Sequence, residues 1–530
     1  MAIKNLLSLL KELSSQQSVY AFRFSRTQRA GLILGPVTFL AIIFSDLDPG
    51  NPATTRMAAV ALLMFIWWIT EAIPLFTTAL LPLVLFPFLG IERGEITAPL
   101  YFNSTIALFM GGFMIALTME KWDLHRRIAL KIIREMGGGP SQIIFGFMIA
   151  AAFLSMWISN TATAMMMVPI GLAIILEMEN EHGVDDTHNF SVGVMLAIGF
   201  ACSVGGMATL VGTPPNLVLV RIFQIMFPNA PAISFGQWIL LGFPISVIML
   251  GIAWLLITKI FFRVPKHITV DNDLVEKQYL ALGPPTYEEK TVLAVFVTTA
   301  LLWVFRVPIQ LGFITIPGWS QLIPFPGLID DGTIAIAMSI ILFLIPSRTP
   351  GTAYPTLAGK DLIPRLPWNI MLIFGGGFAL AHGFTVTGLS VLIGNQFSGL
   401  TQISPIVMII SVCLTLTFLT EMSSNTATTE MILPILASVA VITNTHPLML
   451  MIPATLAASC AFMMPVATPP NAIIFGSNRV RIFEMAKIGF FLNLAGILVI
   501  SFVFIFLGTT VFGIDTGITP EWATLGETRH

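Results

Sequence analysis

One polar tripeptide occurs twice in this chain, each time within a nearly uncharged stretch that is long enough to cross a membrane. Ser159-Asn160-Thr161 recurs as Ser424-Asn425-Thr426, 265 residues later, and a Thr-Pro-Pro-Asn segment follows each copy. Interrupted hydrophobic segments at equivalent places in two halves are typical of transporters whose binding sites lie where the repeats meet. The doubling therefore predicts an all-α polytopic membrane protein with two inverted-topology repeats.

The second repeated element predicts a further break in each half. Gly212-Thr213-Pro214-Pro215-Asn216 is matched by Ala467-Thr468-Pro469-Pro470-Asn471, at an offset of 255 residues. Proline removes a backbone donor and frees a carbonyl one turn earlier, so each copy predicts an unwound membrane helix. Because lipid does not tolerate exposed irregular backbone, each break must lie inside the protein or line a watery cavity. Each Ser-Asn-Thr is accordingly predicted to lie at the tip of a re-entrant helical hairpin.

The composition excludes an ordinary soluble domain. Hydrophobic residues make up 55% of the chain and charged residues only 10%, with a mean hydropathy of +0.87. A soluble domain carries about a quarter charged residues. The net charge of -2 gives no sign of a nucleic-acid partner. Cys202, Cys413 and Cys460 are far apart in apolar segments, which argues against a disulfide framework or a zinc site.

The hydrophobic segments set the expected organisation. A spanning helix needs about 20 apolar residues, and we expect about 11 transmembrane helices besides the re-entrant pieces. The polar segment 177–189 reads as a soluble connection. The predicted divisions are a cytoplasmic N-terminal segment (1–29), a leading span plus first membrane repeat (30–262), a cytoplasmic linker (263–290), a second membrane repeat (291–514) and a C-terminal tail (515–530).

The distribution of lysine and arginine predicts the orientation, since cytoplasmic loops carry an excess of both. Arg23, Arg26 and Arg29 precede the first span, and further clusters lie before the first hairpin and around the linker. The N-terminus is therefore expected in the cytoplasm. The protein is expected to cross the plasma membrane several times, this being the inner membrane if the source is bacterial.

The chemistry of the two tips suits both a cation and an anion. Hard cations such as sodium favour oxygen ligands, and the C-terminal ends of half-helices favour cations. Ser155 and Thr420 each precede the Ser of their motif by four residues. Residues four apart share a helix face, so both hydroxyls are expected to point at one ion. Amides, hydroxyls and helix N-terminal N–H groups can also donate to an anion. Each half is predicted to hold one cation, with an anion between the halves.

Local bonding is the alternative, because Ser and Thr in membrane helices often bond to the preceding turn and small residues often serve helix packing. Two copies at one offset favour a binding site. Glu71 and Glu421 flank apolar spans, and each either contacts an ion or caps a helix or pairs locally. Glu430 follows the second tip where the first half has Met165, so symmetry assigns it no role.

Two other classes of function are disfavoured. A membrane-embedded enzyme would need a metal-ligand cluster or a nucleophile paired with a base, and the spans show neither pattern. A channel is disfavoured because two discrete sites at broken helices suit alternating access better than a continuous pore.

The doubled Ser-Asn-Thr, the run from Trp68 to Pro74 (WITEAIP) and residues 465–473 (PVATPPNAI) together resemble the divalent anion/sodium symporter family. The resemblance covers the chain roughly from Arg29 to Phe512. It implies a homodimer in which each protomer has a scaffold domain and a transport domain. The transport domain would carry both hairpins across the lipid bilayer in an elevator movement.

The resemblance also implies the ligands. One sodium ion would be held by Ser155, Ser159, Asn160 and the Gly212 carbonyl, and a second by Thr420, Ser424, Asn425 and the Ala467 carbonyl. The substrate carboxylates would meet Asn160, Thr161, Thr213, Pro214, Asn425, Thr426, Thr468 and Pro469. No arginine or lysine lies at either tip, so bound sodium would offset the charge of a dianion.

The implied activity is sodium-coupled symport of C4-dicarboxylates such as succinate, malate and fumarate, with sodium ions as co-transported partners. Exchange of one dicarboxylate for another, or carriage of citrate or sulfate, remains the alternative, because the same motifs serve these activities too.

Overall fold

The computed structural model describes residues 24–137, 139–263, 273–311, 314–351, 354–399, 403–516 and 519–523. The helices before the linker are α1 (Arg26–Ile43), α2 (Pro52–Thr70), α3 (Leu75–Thr78), α4 (Leu81–Leu89), α5 (Gly94–Thr97), α6 (Ser104–Lys121), α7 (Leu124–Met136), α8 (Pro140–Ser155), α9 (Asn160–His182), α10 (Val184–Gly206), α11 (Pro214–Met226) and α12 (Phe235–Leu255). A 3-10 turn spans Ala98–Tyr101, and α12 continues as a π-helix over Leu256–Phe261.

The helices of the remainder are α13 (Asp273–Ala281), α14 (Tyr287–Val304), α15 (Asp331–Leu344), α16 (Trp368–Val386), α17 (Leu389–Gln396), α18 (Pro405–Thr420), α19 (Asn425–Ile442), α20 (Pro447–Ala458), α21 (Pro469–Gly476), α22 (Ile482–Val503) and α23 (Thr509–Val511). Strands β1 (Ile309–Leu311) and β2 (Ile314–Ile316) pair antiparallel. Short 3-10 helices span Trp319–Leu322, Pro326–Leu328 and Lys360–Arg365, and a π-helix spans Phe504–Gly508.

Both predicted hairpin tips are helix breaks. Helix α8 ends at Ser155 and α9 begins at Asn160, while α18 ends at Thr420 and α19 begins at Asn425. The unwound segments are confirmed as well, since α10 and α11 are separated by residues 207–213 and α20 and α21 by residues 459–468. In each half, a hairpin therefore packs with a broken helix. The predicted all-α fold is confirmed.

The described residues contain eight helices long and apolar enough to cross a membrane. They are Pro52–Thr70, Gly94–Lys121, Asn160–His182, Val184–Gly206, Phe235–Phe261, Trp368–Val386, Asn425–Ile442 and Ile482–Val511. Shorter apolar helices are Leu75–Leu89, Pro140–Ser155, Asp331–Leu344, Pro405–Thr420 and Pro447–Ala458. Both sets include arms of the hairpins, so helix length alone does not give the number of crossings. The total of about 11 stays a prediction.

Segment 177–189, predicted as a soluble connection, is helical except for one residue. Helix α9 continues through His182 and α10 begins at Val184, with Gly183 alone between them at φ 86°. A glycine adopts this left-handed backbone without a steric penalty, so one residue is enough to reverse the chain. The acidic residues of the segment instead extend the two helices, with Asp185 and Asp186 in the first turn of α10, where a helix dipole favours negative charge.

The described part of the predicted linker is tied to the amphipathic helix α7 by a buried ion pair. Arg127 Nε donates to Glu289 Oε1 at 2.8 Å, and its other nitrogens donate to the carbonyls of Gly283 and Leu282. The two side chains are only 9% and 5% exposed. Burial alone would lower the pKa of Arg127, but the hydrogen bond and charge of Glu289 raise it above its ordinary value. The pair therefore fixes the chain where α14 begins.

We expect Arg127→Met to lower the free energy of unfolding by about 3–5 kcal/mol, because it leaves the Glu289 carboxylate buried without its partner. Thermal unfolding of the purified protein in detergent would measure the effect. Arg126→Met is the matched control, since Arg126 is exposed on the same helix. Equal melting temperatures for the two variants would contradict this prediction.

Candidate functional site

A cavity of about 810 Å³ lies where the two hairpin tips and the two unwound segments converge. All the residues predicted to bind substrate line it, namely Asn160, Thr161, Thr213, Pro214, Asn425, Thr426, Thr468 and Pro469. The predicted sodium ligands Ser159, Gly212, Ser424 and Ala467 line it as well. Ser155 and Thr420 do not, but each bonds to an asparagine that does. The two halves of the chain thus contribute to one site.

Four helices begin at this cavity, namely α9 at Asn160, α11 at Pro214, α19 at Asn425 and α21 at Pro469. A serine or threonine precedes each start, which is the residue type that caps helices. Ser159 Oγ accepts from the N–H of Ala162, and Thr468 Oγ1 accepts from the N–H of Asn471. First-turn N–H groups lack partners within their helix and carry partial positive charge. Helices α9 and α19 have such N–H groups at their first residues, whereas α11 and α21 each begin with two prolines, which have none. The N–H groups at the two hairpin tips suit an anion in the cavity.

The first oxygen cluster lies where α8 and α10 end. Ser155 Oγ donates to Asn160 Oδ1 at 2.5 Å and to the Cys202 carbonyl at 2.7 Å. The end of the Asn160 amide also lies 3.1 Å from the Cys202 carbonyl and 3.3 Å from the Gly212 carbonyl. If Nδ2 of Asn160 points at these oxygens, the amide donates hydrogen bonds to them. If Oδ1 points there, it faces three other oxygens, namely Ser155 Oγ and the carbonyls of Cys202 and Gly212. The second arrangement is the kind of oxygen cage that a hard cation such as sodium favours.

The second oxygen cluster repeats the first in the other half. Thr420 Oγ1 donates to Asn425 Oδ1 at 2.6 Å and to the Ala458 carbonyl at 3.0 Å. Thr420 ends α18 and Ala458 ends α20, so their carbonyl ends bring partial negative charge to this place. Each cluster thus combines a hydroxyl, an asparagine amide and the C-terminal end of a helix, which together fit a cation.

One geometric expectation is wrong. Ser155 and Ser159 do not share a helix face, because α8 ends at Ser155 and the chain turns before Ser159. Ser159 instead caps α9, whereas Ser424 makes no capping bond from its side chain. The hydroxyls of Ser155 and Thr420 bond to Asn160 and Asn425, which follow them by five residues. In each half, the hydroxyl therefore pairs with an asparagine and not with the serine of the motif.

Asn216 and Asn471, the last residues of the two Thr-Pro-Pro-Asn copies, hold the unwound segments in place. Both are fully buried, and both donate two hydrogen bonds from Nδ2 to backbone carbonyls of the segment before them. The acceptors are Gly206 (3.3 Å) and Thr209 (2.7 Å) in the first half, and Ala461 (2.9 Å) and Met464 (3.1 Å) in the second. Their repetition at one offset was the signal from which the sequence could have assigned them this role.

Glu421 anchors the second unwound segment rather than standing free in the membrane. Four donors reach its carboxylate, namely the N–H groups of Phe462 (2.7 Å), Met463 (2.9 Å) and Met464 (3.0 Å), and Nδ2 of Asn493 (2.7 Å). Of the two expectations for Glu421, the structure thus favours local pairing over contact with an ion. The first half has Met156 at the equivalent place and lacks this carboxylate.

The remaining lining of the cavity, which we call the framework wall, comes from other helices. It consists of Ser25, Thr27, Gln28, Ile69, Thr70, Glu71, Leu75, Phe109, Phe113, Asn369, Ile370 and Ile373. Glu71 thus lies at the site, as the sequence allowed. Glu430 does not line the cavity: it is fully buried, neither carboxylate oxygen has a partner among the described residues, and it packs closely against Gly377.

Residues 28–514 match the family model described as the sodium:sulfate symporter transmembrane region. A protein of Staphylococcus saprophyticus named as the sodium-dependent dicarboxylate transporter SdcS is 42% identical over 494 residues, which cover 92% of this chain and 93% of the relative. The SdcS of Staphylococcus aureus strain MRSA252 is also 42% identical, over 498 residues and 93% of both chains.

Two solved structures are similar in fold. The YdaH transporter of Alcanivorax borkumensis gives a TM-score of 0.54 at 13% identity, covering 85% of this chain and 99% of that chain. MtrF of Neisseria gonorrhoeae, described with a class of antimetabolite efflux pumps, gives 0.52 at 13% identity and covers 92% and 99%. At such low identity the likeness concerns the fold alone.

Proposed function

Since this chain belongs to the sodium:sulfate symporter family, we propose that it is a sodium-coupled symporter of C4-dicarboxylates such as succinate, malate and fumarate. The family consists of transporters, which agrees with the prediction of a membrane transporter rather than an enzyme. The names of the staphylococcal relatives support sodium and a dicarboxylate as the ligands.

The observation that carries the proposal is the pairing of opposite helix ends around one cavity. Helix N-terminal ends at Asn160, Pro214, Asn425 and Pro469 face the cavity, while hydroxyls and helix C-terminal ends form an oxygen cluster beside each tip. A dianion has two carboxylates to present to the two tips. No lysine or arginine lines the cavity among the described residues, so cations must offset its charge.

We assign the first sodium ion to Ser155, Ser159, Asn160 and the Gly212 carbonyl, and the second to Thr420, Ser424, Asn425 and the Ala467 carbonyl. The substrate carboxylates would accept hydrogen bonds from the amides of Asn160 and Asn425, from the hydroxyls of Thr161, Thr213, Thr426 and Thr468, and from N–H groups at the starts of α9 and α19. Sodium binding orders each tip by filling its oxygen cluster, so binding of the cations precedes binding of the anion.

The movement we propose is an elevator within a homodimer. The hairpins and broken helices would form the transport domain, and the helices of the framework wall would belong to the scaffold. The N-terminus would lie in the cytoplasm of a bacterial cell, with the transporter in the plasma membrane. Cross-linking of single cysteines between α16 and α19 in two conformations, with and without sodium and succinate, would test the movement.

Uptake of radiolabelled succinate into proteoliposomes tests the proposed function. We expect uptake to require an inward sodium gradient and to be reduced by unlabelled malate and fumarate. Uptake that proceeds without sodium but requires dicarboxylate inside the vesicles would show an exchanger instead. Uptake of citrate or sulfate with no uptake of succinate would change the proposed substrate but would agree with the proposed site.

A further inference from the structure

Glu430 is an acidic residue buried within a membrane-spanning helix, where α19 packs against α16. Its side chain is fully buried, and neither carboxylate oxygen has a hydrogen-bond partner among the described residues. A Cβ atom on Gly377 of α16 would lie only 2.7 Å from Oε2, so the glycine makes room for this side chain. The first half has Gly112 and Met165 at the equivalent places, and Met165 is 55% exposed. The buried carboxyl group is therefore peculiar to the second half.

The contact between Glu430 and Gly377 lies one helical turn beyond the cavity. Thr426 precedes Glu430 by four residues on α19, and Ile373 precedes Gly377 by four residues on α16. Both Thr426 and Ile373 line the cavity. Residues four apart are neighbours on one helix face, about 5–6 Å from each other. Glu430 thus lies close behind the candidate site, where an arm of the second hairpin packs against a helix of the framework wall.

No lysine, arginine or histidine pairs with Glu430 in the part of the chain that the structure describes. Tyr101 is close enough for its charge to interact with that of Glu430, but its hydroxyl donates to the Ala79 carbonyl at 2.5 Å. The helices packed against α19 are α11, α16, α17, α18 and α20. Their titratable side chains bond elsewhere, namely Arg221 to Gln224, His382 to Glu92 and Cys413 to the Pro453 carbonyl. Nothing near Glu430 therefore compensates a negative charge on it.

A buried carboxylate without a partner is strongly disfavoured, and a carboxyl group in such a place takes up a proton instead. We propose that Glu430 is a proton-binding site, and that the proton must be bound for Glu430 to lie against Gly377, an arrangement we call the packed conformation. The inference rests on the proposed movement of the hairpins against the framework wall. When α19 moves along α16, Glu430 leaves Gly377, water reaches the carboxyl group, and the proton passes to water. On return, Glu430 takes a proton from water again.

The proton is then a ligand of one conformation, and such a ligand shifts the equilibrium toward the conformation that binds it. Raising the pH removes the proton and disfavours the packed conformation, whereas lowering the pH favours it. For a single proton, the ratio of the two conformations changes by at most about tenfold per pH unit. Glutamine has nearly the shape of the protonated carboxyl group and cannot ionise. Glu430→Gln should therefore keep the packed conformation at every pH.

The distance between two spin labels would measure the two conformations in protein reconstituted without sodium or substrate. One label replaces Val386 at the end of α16, and the other replaces Val407 on α18, the second arm of the same hairpin; both positions are exposed. The native cysteines are fully buried and should not react, namely Cys202, Cys413 and Cys460. We expect the ratio of packed to moved protein to fall about tenfold or more from about pH 6 to about pH 8. Glu430→Gln should abolish this change, and Glu95→Gln, which removes an exposed carboxylate, should respond like the wild type.

A pH response as large in Glu430→Gln as in the wild type would overturn this inference and leave the proposed function intact. A Glu430→Gln protein that shifts away from the packed conformation would also overturn it, because the charged form would then be the one that stabilises the contact. Labels whose separation changes with neither pH, sodium nor succinate would refute the proposed movement and this inference together. Wild-type uptake of succinate without any need for sodium would refute the proposed function, whereas a pH response that depends on Glu430 would still support the proton site.

Discussion

Replacing Asn160 or Asn425 with alanine is expected to lower sodium-coupled uptake about 100-fold or more while the protein remains folded. Each asparagine opens a helix at the cavity and bonds to the hydroxyl of its oxygen cluster, Ser155 or Thr420. In the proposed binding mode its amide would serve both the cation and the anion. Alanine removes both contacts at once, and no other side chain in the cluster replaces the amide.

Proteoliposome uptake would measure the loss, and the shift of the melting temperature on adding sodium would show whether ion binding is lost. A ligand that binds only the folded state stabilises it more the more tightly it binds, so the shift should shrink in both variants. Asn395→Ala is the control, because Asn395 is exposed on α17 and does not line the cavity. Normal uptake with unchanged sodium dependence in either site variant would show that the site assignment is wrong.

Glu421→Ala is expected to destabilise the second unwound segment and to weaken the binding of sodium at the second oxygen cluster. Its carboxylate holds three consecutive N–H groups, from Phe462 to Met464, together with Nδ2 of Asn493. Each buried donor left without a partner costs about 1–3 kcal/mol. The melting temperature in detergent should fall, and the sodium concentration for half-maximal uptake should rise.

A graded series separates this anchor from a general loss of stability. Asn493→Ala removes one of the four donors and should give a smaller effect than Glu421→Ala. Glu135→Ala removes an exposed carboxylate on α7 and should change neither quantity. If Glu421→Ala melts like the wild type and needs no more sodium, the carboxylate does not hold the segment.

The sequence located the two hairpin tips and the two unwound segments, because serine, threonine and proline act on the helix within a few residues. The substrate residues that the family resemblance implied all line the cavity. The partners of Glu421 could not be predicted, since they lie 41 to 72 residues later and depend on how α18 packs beside α20 and α22. The polar composition of 177–189 did not reveal that the segment is helical, because a single glycine, Gly183, makes the turn between the two helices.

The two pairs of hydroxyl and asparagine show a subtler limit. Spacing of four residues predicts a shared face only if the helix continues, and α8 and α18 end at the very residues concerned. The motif itself breaks the rule that was used to interpret it. The sequence also could not predict which helices form the framework wall, because these helices are distant from one another in the chain.

Each helix break in this protein uses both of its ends, and they lie close together along the chain. Four residues separate Ser155 from Asn160, and seven separate Gly206 from Pro214. In the proposed arrangement Asn160 and Asn425 belong to both functions, so the ion and the cargo share one residue at each break, whereas Thr213 and Thr468 serve the cargo alone. A descendant of this chain that changed its cargo through Thr213 and Thr468 would inherit its sodium coupling intact.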